Sequence, residues 1–341
     1  MPTSARSSSF SAHGCSVSSS TRAEDGPASV AAVVVNYNDP TASLRCLRSI
    51  REASPETLLV LVDNGSREDC RDAVREQLPE AVVVRLARNV GYAGGCNAGV
   101  ASAFDRGAAY VLMLNNDTTL EPGTIDALLR AAHEHAGAIL APKILYADGS
   151  ERIWSAGGRI SGPLLRNEHV GQGEPSSAHS VAQAVSWATG CALFVSHETY
   201  RRVGPMDEGY FLYLEDVDWC LHATAVGVPT WFVPDAVIHH DVSRTLRSSE
   251  WADDVRYYAY RNGYRLAFRH GGLWTRPLVI GDAIWTLAKA AIRSATSKDH
   301  RHNAHYHVRT RAVLDFMRGR SGPYRPVLEH APLVPEPVAG E

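Results

Sequence analysis

Between residues 30 and 114 the chain alternates short apolar, β-branched runs with stretches whose apolar residues recur at helical spacing. Residues 31–35 are wholly apolar and run into Asn36-Tyr37-Asn38-Asp39-Pro40, and residues 58–62 run into Asp63-Asn64-Gly65-Ser66. Residues 81–86 and 110–114 repeat the pattern. Apolar runs of this length read as strands buried on both faces. Between the first two, residues 41–52 carry Leu44, Leu47 and Ile50 on one helical face. The alternation predicts βα units on a largely parallel sheet. Its polar strand ends mark the edge where open α/β sheets collect ligands.

Past residue 140 the alternation fades. Gly157-Gly158 and Gly162-Pro163, within residues 145–180, predict a hairpin and a mobile loop. Residues 186–195 read as a strand, 210–226 as a strand running into a helix, and 230–239 as a last strand. The expected organisation is a Ser/Ala-rich disordered tail over 1–28, an α/β domain over 29–250, a helical extension over 251–322 and a Pro-rich tail over 323–341. In the extension, Tyr257, Tyr260, Tyr264 and Phe268 share one helical face, and Arg261, Arg265 and Arg269 another. Packing accounts for the aromatic face. The basic stripe reads as solvated, with contact to a lipid diphosphate or an anionic membrane as the alternative. Residues 277–292, with Asp282 and Lys289, form an amphipathic helix that packs on the protein or lies on a membrane surface.

Composition narrows the classes. The 341 residues carry a formal charge of −3 spread along the chain, so no basic domain points to nucleic acid. Six cysteines stand far apart without a CxxC pair, which fits a reducing compartment and neither a disulfide frame nor a zinc site. No run of eighteen uncharged apolar residues occurs, so no membrane-spanning helix is expected. Residues 1–28 lack the apolar core of a secretory signal. His300, His302, His305 and His307 lie in a polar basic segment and are assigned no metal.

Five segments could carry chemistry. At the ends of the first two strands, Tyr37 can wall a ring and Asp63 can accept a ring N–H of uracil or thymine; an Asx turn capping the next helix is the plain alternative. In residues 88–99, glycines permit close backbone approach and open a helix whose N-terminus favours anions, although neither GxGxxG nor a Walker loop is present. Asn115-Asn116-Asp117 ends an apolar strand, and alternation puts Asn115 and Asp117 on one side. That suits a hard divalent cation that also holds a diphosphate. Glu215-Asp216-Val217-Asp218 crowds three acids into four residues, a repulsive arrangement best explained by one general base with supporting neighbours. His239-His240 ends the last strand and could complete a cation site.

In this order, the five segments resemble a family 2 glycosyltransferase of the rhamnosyltransferase-like branch, over about residues 30–245. The resemblance implies a GT-A fold, a nucleotide-diphospho-sugar transferase α/β architecture with a mixed sheet flanked by helices and a helical C-terminal extension. It implies Asn36, Tyr37, Asn38, Asp63, Asn89, Gly91, Asn97 and Asn115 around the nucleotide-sugar. Trp187, Thr189 and Gly190 would line the sugar and acceptor side, with a core position as the alternative for Trp187. Asp216 matches the base, with Glu215 and Asp218 as support. Asp117 and His240 match the holders of Mg²⁺ or Mn²⁺, His239 being the other register. The implied reaction is inverting transfer from a dTDP- or UDP-sugar, dTDP-rhamnose among them, to a glycan, lipid-linked or natural-product hydroxyl. A cytoplasmic enzyme, peripheral at the inner membrane face or not, fits that reading; nothing assigns an oligomeric state. A non-catalytic sugar-nucleotide or glycan-binding homologue, or a sugar-phosphate nucleotidyltransferase, stands against it. The acids Asp117 and Asp216 oppose the first, and the absence of a basic glycine-rich loop after the first strand opposes the second.

Overall fold

The computed structural model describes residues 29–242, 252–296 and 300–324; both expected tails fall wholly or mostly outside them. Four parallel strands form the core of the sheet, in spatial order β3 (Val82–Arg85), β2 (Leu58–Asp63), β1 (Val30–Asn36) and β4 (Tyr110–Asn115). Every residue of β1 is buried, as expected of a strand covered by helices on both faces. The sheet continues through β11 (Ala192–Ser196), antiparallel to β4, then β6 (Ile139–Tyr146) and β12 (Thr230–His240). Short β5 (Thr118–Leu120) pairs with the end of β12 and so sets His240 opposite Thr118.

Local chemistry explains the helices that aim the ligand edge. Asp39 caps α1 (Pro40–Ala53) by accepting from the Ala42 N–H at 3.0 Å, and Pro40 occupies the first turn. Helix α3 (Gly91–Phe104) lies close on β1 because Gly99 has no Cβ to strike Val33. A hairpin, β8 (Gly158–Ser161) with β9 (Arg166–His169), stands outside the main sheet.

Two expected strands are corrected. Of the span 186–195 only residues 192–195 are strand, within β11; residues 186–191 connect it to β10 (Gln183–Val185), which ends just before the expected start. Residues 210–214 form no strand: Phe211, Tyr213 and Leu214 have φ of 66°, 66° and 69°. Phe211, with ψ −57°, is the centre of a γ-turn closed by the Leu212 N–H on the Tyr210 carbonyl at 2.8 Å. This apolar run packs on the C-terminal helices instead of pairing with a strand. Those helices are α7 (Ala252–His270), α8 (Thr275–Thr296) and α9 (His300–Met317).

Candidate active site

The ends of β1, β2 and β4 and the start of α3 border a cleft of about 910 Å³. Tyr37, Asn38, Asn89, Gly91, Asn115 and Asp117 line it. Asn36 is fully buried behind them; its amide donates to Ser66 Oγ at 3.2 Å and accepts from Ser43 Oγ at 2.9 Å. Asp63 is also fully buried, accepts from the Ser66 N–H at 3.1 Å and is ion-paired with Arg85. The residues of that turn bordering the cleft are Asn64, Ser66 and Arg67. Asn97 faces away, bridging Met206 and the Tyr200 hydroxyl.

Asn64 was not legible as a site residue, yet it joins two walls. Its amide donates to Gly91 O at 2.9 Å and to Asn89 Oδ1 at 3.2 Å, and accepts from the Val90 N–H at 3.0 Å. Gly91 is in the left-handed region at φ 84°, and a Cβ there would collide with the Phe211 backbone. The Tyr92 N–H donates to Phe211 O at 2.6 Å. The cleft's two sides therefore meet backbone to backbone.

On the β4 side, strand alternation resolves the two histidines. His239 Nε2 lies 2.7 Å from Glu121, whereas His240 Nε2 lies 3.2 Å from Asp117 Oδ1. His240 is buried, and among the described residues neither ring nitrogen finds a hydrogen-bond partner. A buried imidazole pointed at a carboxylate without a hydrogen bond is costly in a purely structural role. The spacing suits two neighbouring ligands of an octahedral cation, about 3.0 Å apart when each bond is about 2.1 Å. Among the described residues no group of three or more His, Cys, Asp or Glu could hold a metal. Trp154 packs edge-on to His240, with ring centres 4.5 Å apart.

The three crowded acids are separated by the helix they open, α6 (Glu215–Ala225). Asp216 Oδ2 accepts from the Gly190 N–H at 2.7 Å and Oδ1 from the Val217 N–H at 2.8 Å. Burial raises its pKa, and those amides oppose the rise. Glu215 is buried, and among the described residues its Oε2 has no hydrogen-bond partner. Burial, then the Asp216 charge, pushes its pKa from the ordinary 4.5 to about 8. Asp218 turns the other way, to the Tyr210 hydroxyl at 2.8 Å, His270 Nε2 at 2.7 Å and Arg269 at 3.1 Å. The three carboxyls therefore face three different surroundings: an apolar one for Glu215, backbone amides for Asp216, and a hydroxyl, an imidazole and a guanidinium for Asp218.

The Gly190–Cys191 segment links both halves. Gly190 holds Asp216, the Tyr92 hydroxyl donates to Gly190 O, and the Asn115 N–H donates to Cys191 O at 3.0 Å. Burial, and then the nearby Asp117 charge, pushes the Cys191 thiol pKa well up. Thr189 accepts from the Cys191 N–H at 3.2 Å. Trp187 is 2% exposed, wedged against Gly158 and edge-on to His169, and does not border the cleft.

The model of glycosyl transferase family 2 matches residues 31–192. The N-acetylglucosaminyl-diphospho-decaprenol L-rhamnosyltransferase of Mycobacterium tuberculosis is 31% identical over 285 residues, 77% of this chain and 90% of that protein. The chain belongs to glycosyl transferase family 2. The dTDP-rhamnosyl transferase RfbF of Shigella flexneri is 26% identical, over 85% of this chain and 96% of its own. A solved structure of GalNAc-T7 with UDP, GalNAc and Mn²⁺ aligns with a TM-score of 0.54 at 15% identity, covering 74% of this chain and 54% of that one. That likeness concerns the fold, which is GT-A.

In this family 2 glycosyltransferase the expected solvated stripe on α7 is corrected. Arg261 is 1% exposed and donates to the carbonyls of Tyr210 at 2.8 Å, Gly209 at 3.2 Å and Gly322 at 2.6 Å. Asn262, fully buried, donates to the carbonyls of Tyr213 at 2.7 Å, Leu212 at 2.8 Å and Tyr210 at 3.1 Å. Arg265 and Arg269 pair with Asp207 at 2.7 and 2.9 Å. The stripe is a clamp on the loop that precedes Asp216, and Phe211, Leu212 and Tyr213 of that loop line the cleft. The one local signal was Asn262 itself, a poor helix former inside a helix.

Proposed function

We propose that this glycosyltransferase moves a sugar, with dTDP-rhamnose as first choice of donor, to a hydroxyl of a lipid-linked glycan with inversion at the anomeric carbon. The observation that carries the reading is one segment, Gly190–Cys191: the Gly190 N–H holds the Asp216 carboxylate, and the Cys191 carbonyl takes the N–H of Asn115, two residues before Asp117 of the Asp117–His240 pair. The names of the rhamnosyltransferase relatives support the donor and acceptor class.

In this reading Asp216 takes the proton of the acceptor hydroxyl as that oxygen attacks the anomeric carbon. Its raised pKa makes it a stronger base, and the Gly190 and Val217 amides fix its direction. Burial and the Asp216 charge favour the protonated form of Glu215, which limits the negative charge beside the base. Tyr37 and Asn38 flank the nucleotide base, and the α3 N-terminus favours the diphosphate. Asp117 and His240, with Asn115 alongside, would hold Mg²⁺ or Mn²⁺, which offsets charge on the departing diphosphate.

A thermal-shift screen of nucleotide sugars in the presence of Mn²⁺ tests the donor. The true donor stabilises by mass action, so dTDP-rhamnose should raise the melting temperature above UDP-sugars. A shift with UDP-sugars alone would reassign the donor. No shift with any nucleotide sugar would favour a non-catalytic homologue.

A further inference from the structure

Helix α8 is apolar on nearly every side. From Thr275 to Ile292 it carries three charged residues, Arg276, Asp282 and Lys289. One face, with Val279, Ala283 and Thr286, is buried against the neighbouring helices. The opposite face should be polar on a helix that meets only water. Instead, Leu278, Gly281, Ile284 and Trp285 stand exposed there, and Leu273 and Trp274 extend the ridge at 80% and 81% exposure. From Trp274 to Lys289 the ridge is about 22 Å long at 1.5 Å per residue. An apolar ridge of this size needs a cover.

The charges on this helix select the cover. Asp282 is partly buried and is engaged by the Tyr264 hydroxyl at 2.5 Å and by Arg309 at 3.8 Å. The exposed charges are therefore Arg276 and Lys289, near the two ends of the ridge. Each lies over an aromatic ring: Lys289 Nζ is 4.9 Å from the Trp285 ring centre, and the Arg276 guanidinium is 5.4 Å from that of Phe268. This places apolar stems along the ridge and charged heads at its margin. A two-fold copy centred on the ridge would set Arg276 against Lys289, cation onto cation. Among the described residues no helix is long and apolar enough to cross a membrane, which leaves an orientation in the membrane plane.

We propose that the Trp274–Lys289 ridge of α8 docks the enzyme on an anionic phospholipid surface. The tryptophans and Leu278 enter the headgroup–acyl boundary, and Arg276 and Lys289 meet lipid phosphates. Helix α8 packs along α7, whose first turn supplies Asp254 and Val255 to the cleft wall. Docking would thus hold the catalytic cleft beside the bilayer. The inference stands apart from the donor and acceptor assignment, since its test needs neither.

The test is flotation of the full chain with vesicles of phosphatidylcholine, alone or mixed with phosphatidylglycerol. The wild type should float with the mixed vesicles and much less with phosphatidylcholine alone. Trp274→Ser/Trp285→Ser should lower partition at least tenfold while keeping the wild-type melting temperature, since both side chains are exposed. Arg276→Ala/Lys289→Ala should lower it about 25-fold on anionic vesicles only, at about fivefold per cation. The proposal is overturned if the wild type floats with neither vesicle, or if both double variants float as it does. It is also overturned if, without lipid, the wild type sediments as a dimer that the tryptophan variant splits, because the ridge then serves a second copy.

Discussion

Asn262→Ala should damage turnover through a residue that borders neither the base nor the cation pair. The amide of Asn262 has two N–H bonds, and its nearest acceptors are Tyr213 O at 2.7 Å and Leu212 O at 2.8 Å. Their loop stores strain in three non-glycine residues of positive φ, Phe211, Tyr213 and Leu214, at about 1–3 kcal/mol each. Leaving two part-buried carbonyls without donors costs about 1–2 kcal/mol apiece, the lower part of the range for buried groups. Arg261 still holds Tyr210 O, so the net loss of stability should be roughly 2–4 kcal/mol. Released strain then lets the loop relax and shifts the start of α6, where Asp216 sits. A displacement near 1 Å costs about a hundredfold in rate. The assays are urea unfolding, and kcat measured per folded molecule under conditions where the variant is fully folded. Asn262→Asp keeps the acceptor for Arg261 Nε but loses both donors, and should fail equally. Unchanged kcat in a variant that has lost the expected stability would refute the positioning argument; unchanged stability would refute the clamp.

Glu215 should give stability a pH slope. Its folded pKa of about 8 lies above the ordinary 4.5, so the native state keeps a proton that the unfolded chain releases. Stability is therefore greatest below about 4.5 for this group and falls as pH rises towards about 8. Glu215→Gln should flatten that fall in melting temperature, and an unaltered slope would assign it elsewhere. At the cation pair, His240→Ala or Asp117→Ala should raise the Mn²⁺ concentration for half-maximal activity at least tenfold, and full activity in excess chelator would remove the ion from the scheme.

What the sequence disclosed and what it hid divide by range. The β1, β2 and β4 ends were legible because an apolar run followed by Asn, Asp and Gly is a local signal, and each of these ends borders or backs the cleft. The separation of His239 from His240 follows from strand alternation once β5 fixes the register of β12. The burial of Asp63 was not legible, because its partner Arg85 lies on another strand. The loop at 210–214 reads as a strand by composition. Its left-handed backbone is imposed by Arg261 and Asn262, about fifty residues later. The basic stripe was visible as a period, but the sequence could not show that Asp207 and Asp218 face it. The crowding of Glu215, Asp216 and Asp218 was visible in the sequence and falls on one helix start, while their different partners emerged only from the fold.

The central claim is that Asp216 removes the acceptor proton in a transfer from a bound nucleotide sugar. Asp216→Asn keeps the size and one acceptor oxygen of the side chain but removes the base. The direct measurement is sugar transfer and donor affinity on the same Asp216→Asn preparation. The account predicts transfer reduced by about 10²–10⁴ with donor Kd near the wild-type value. Wild-type turnover in that variant, or loss of donor binding in place of turnover, would contradict it.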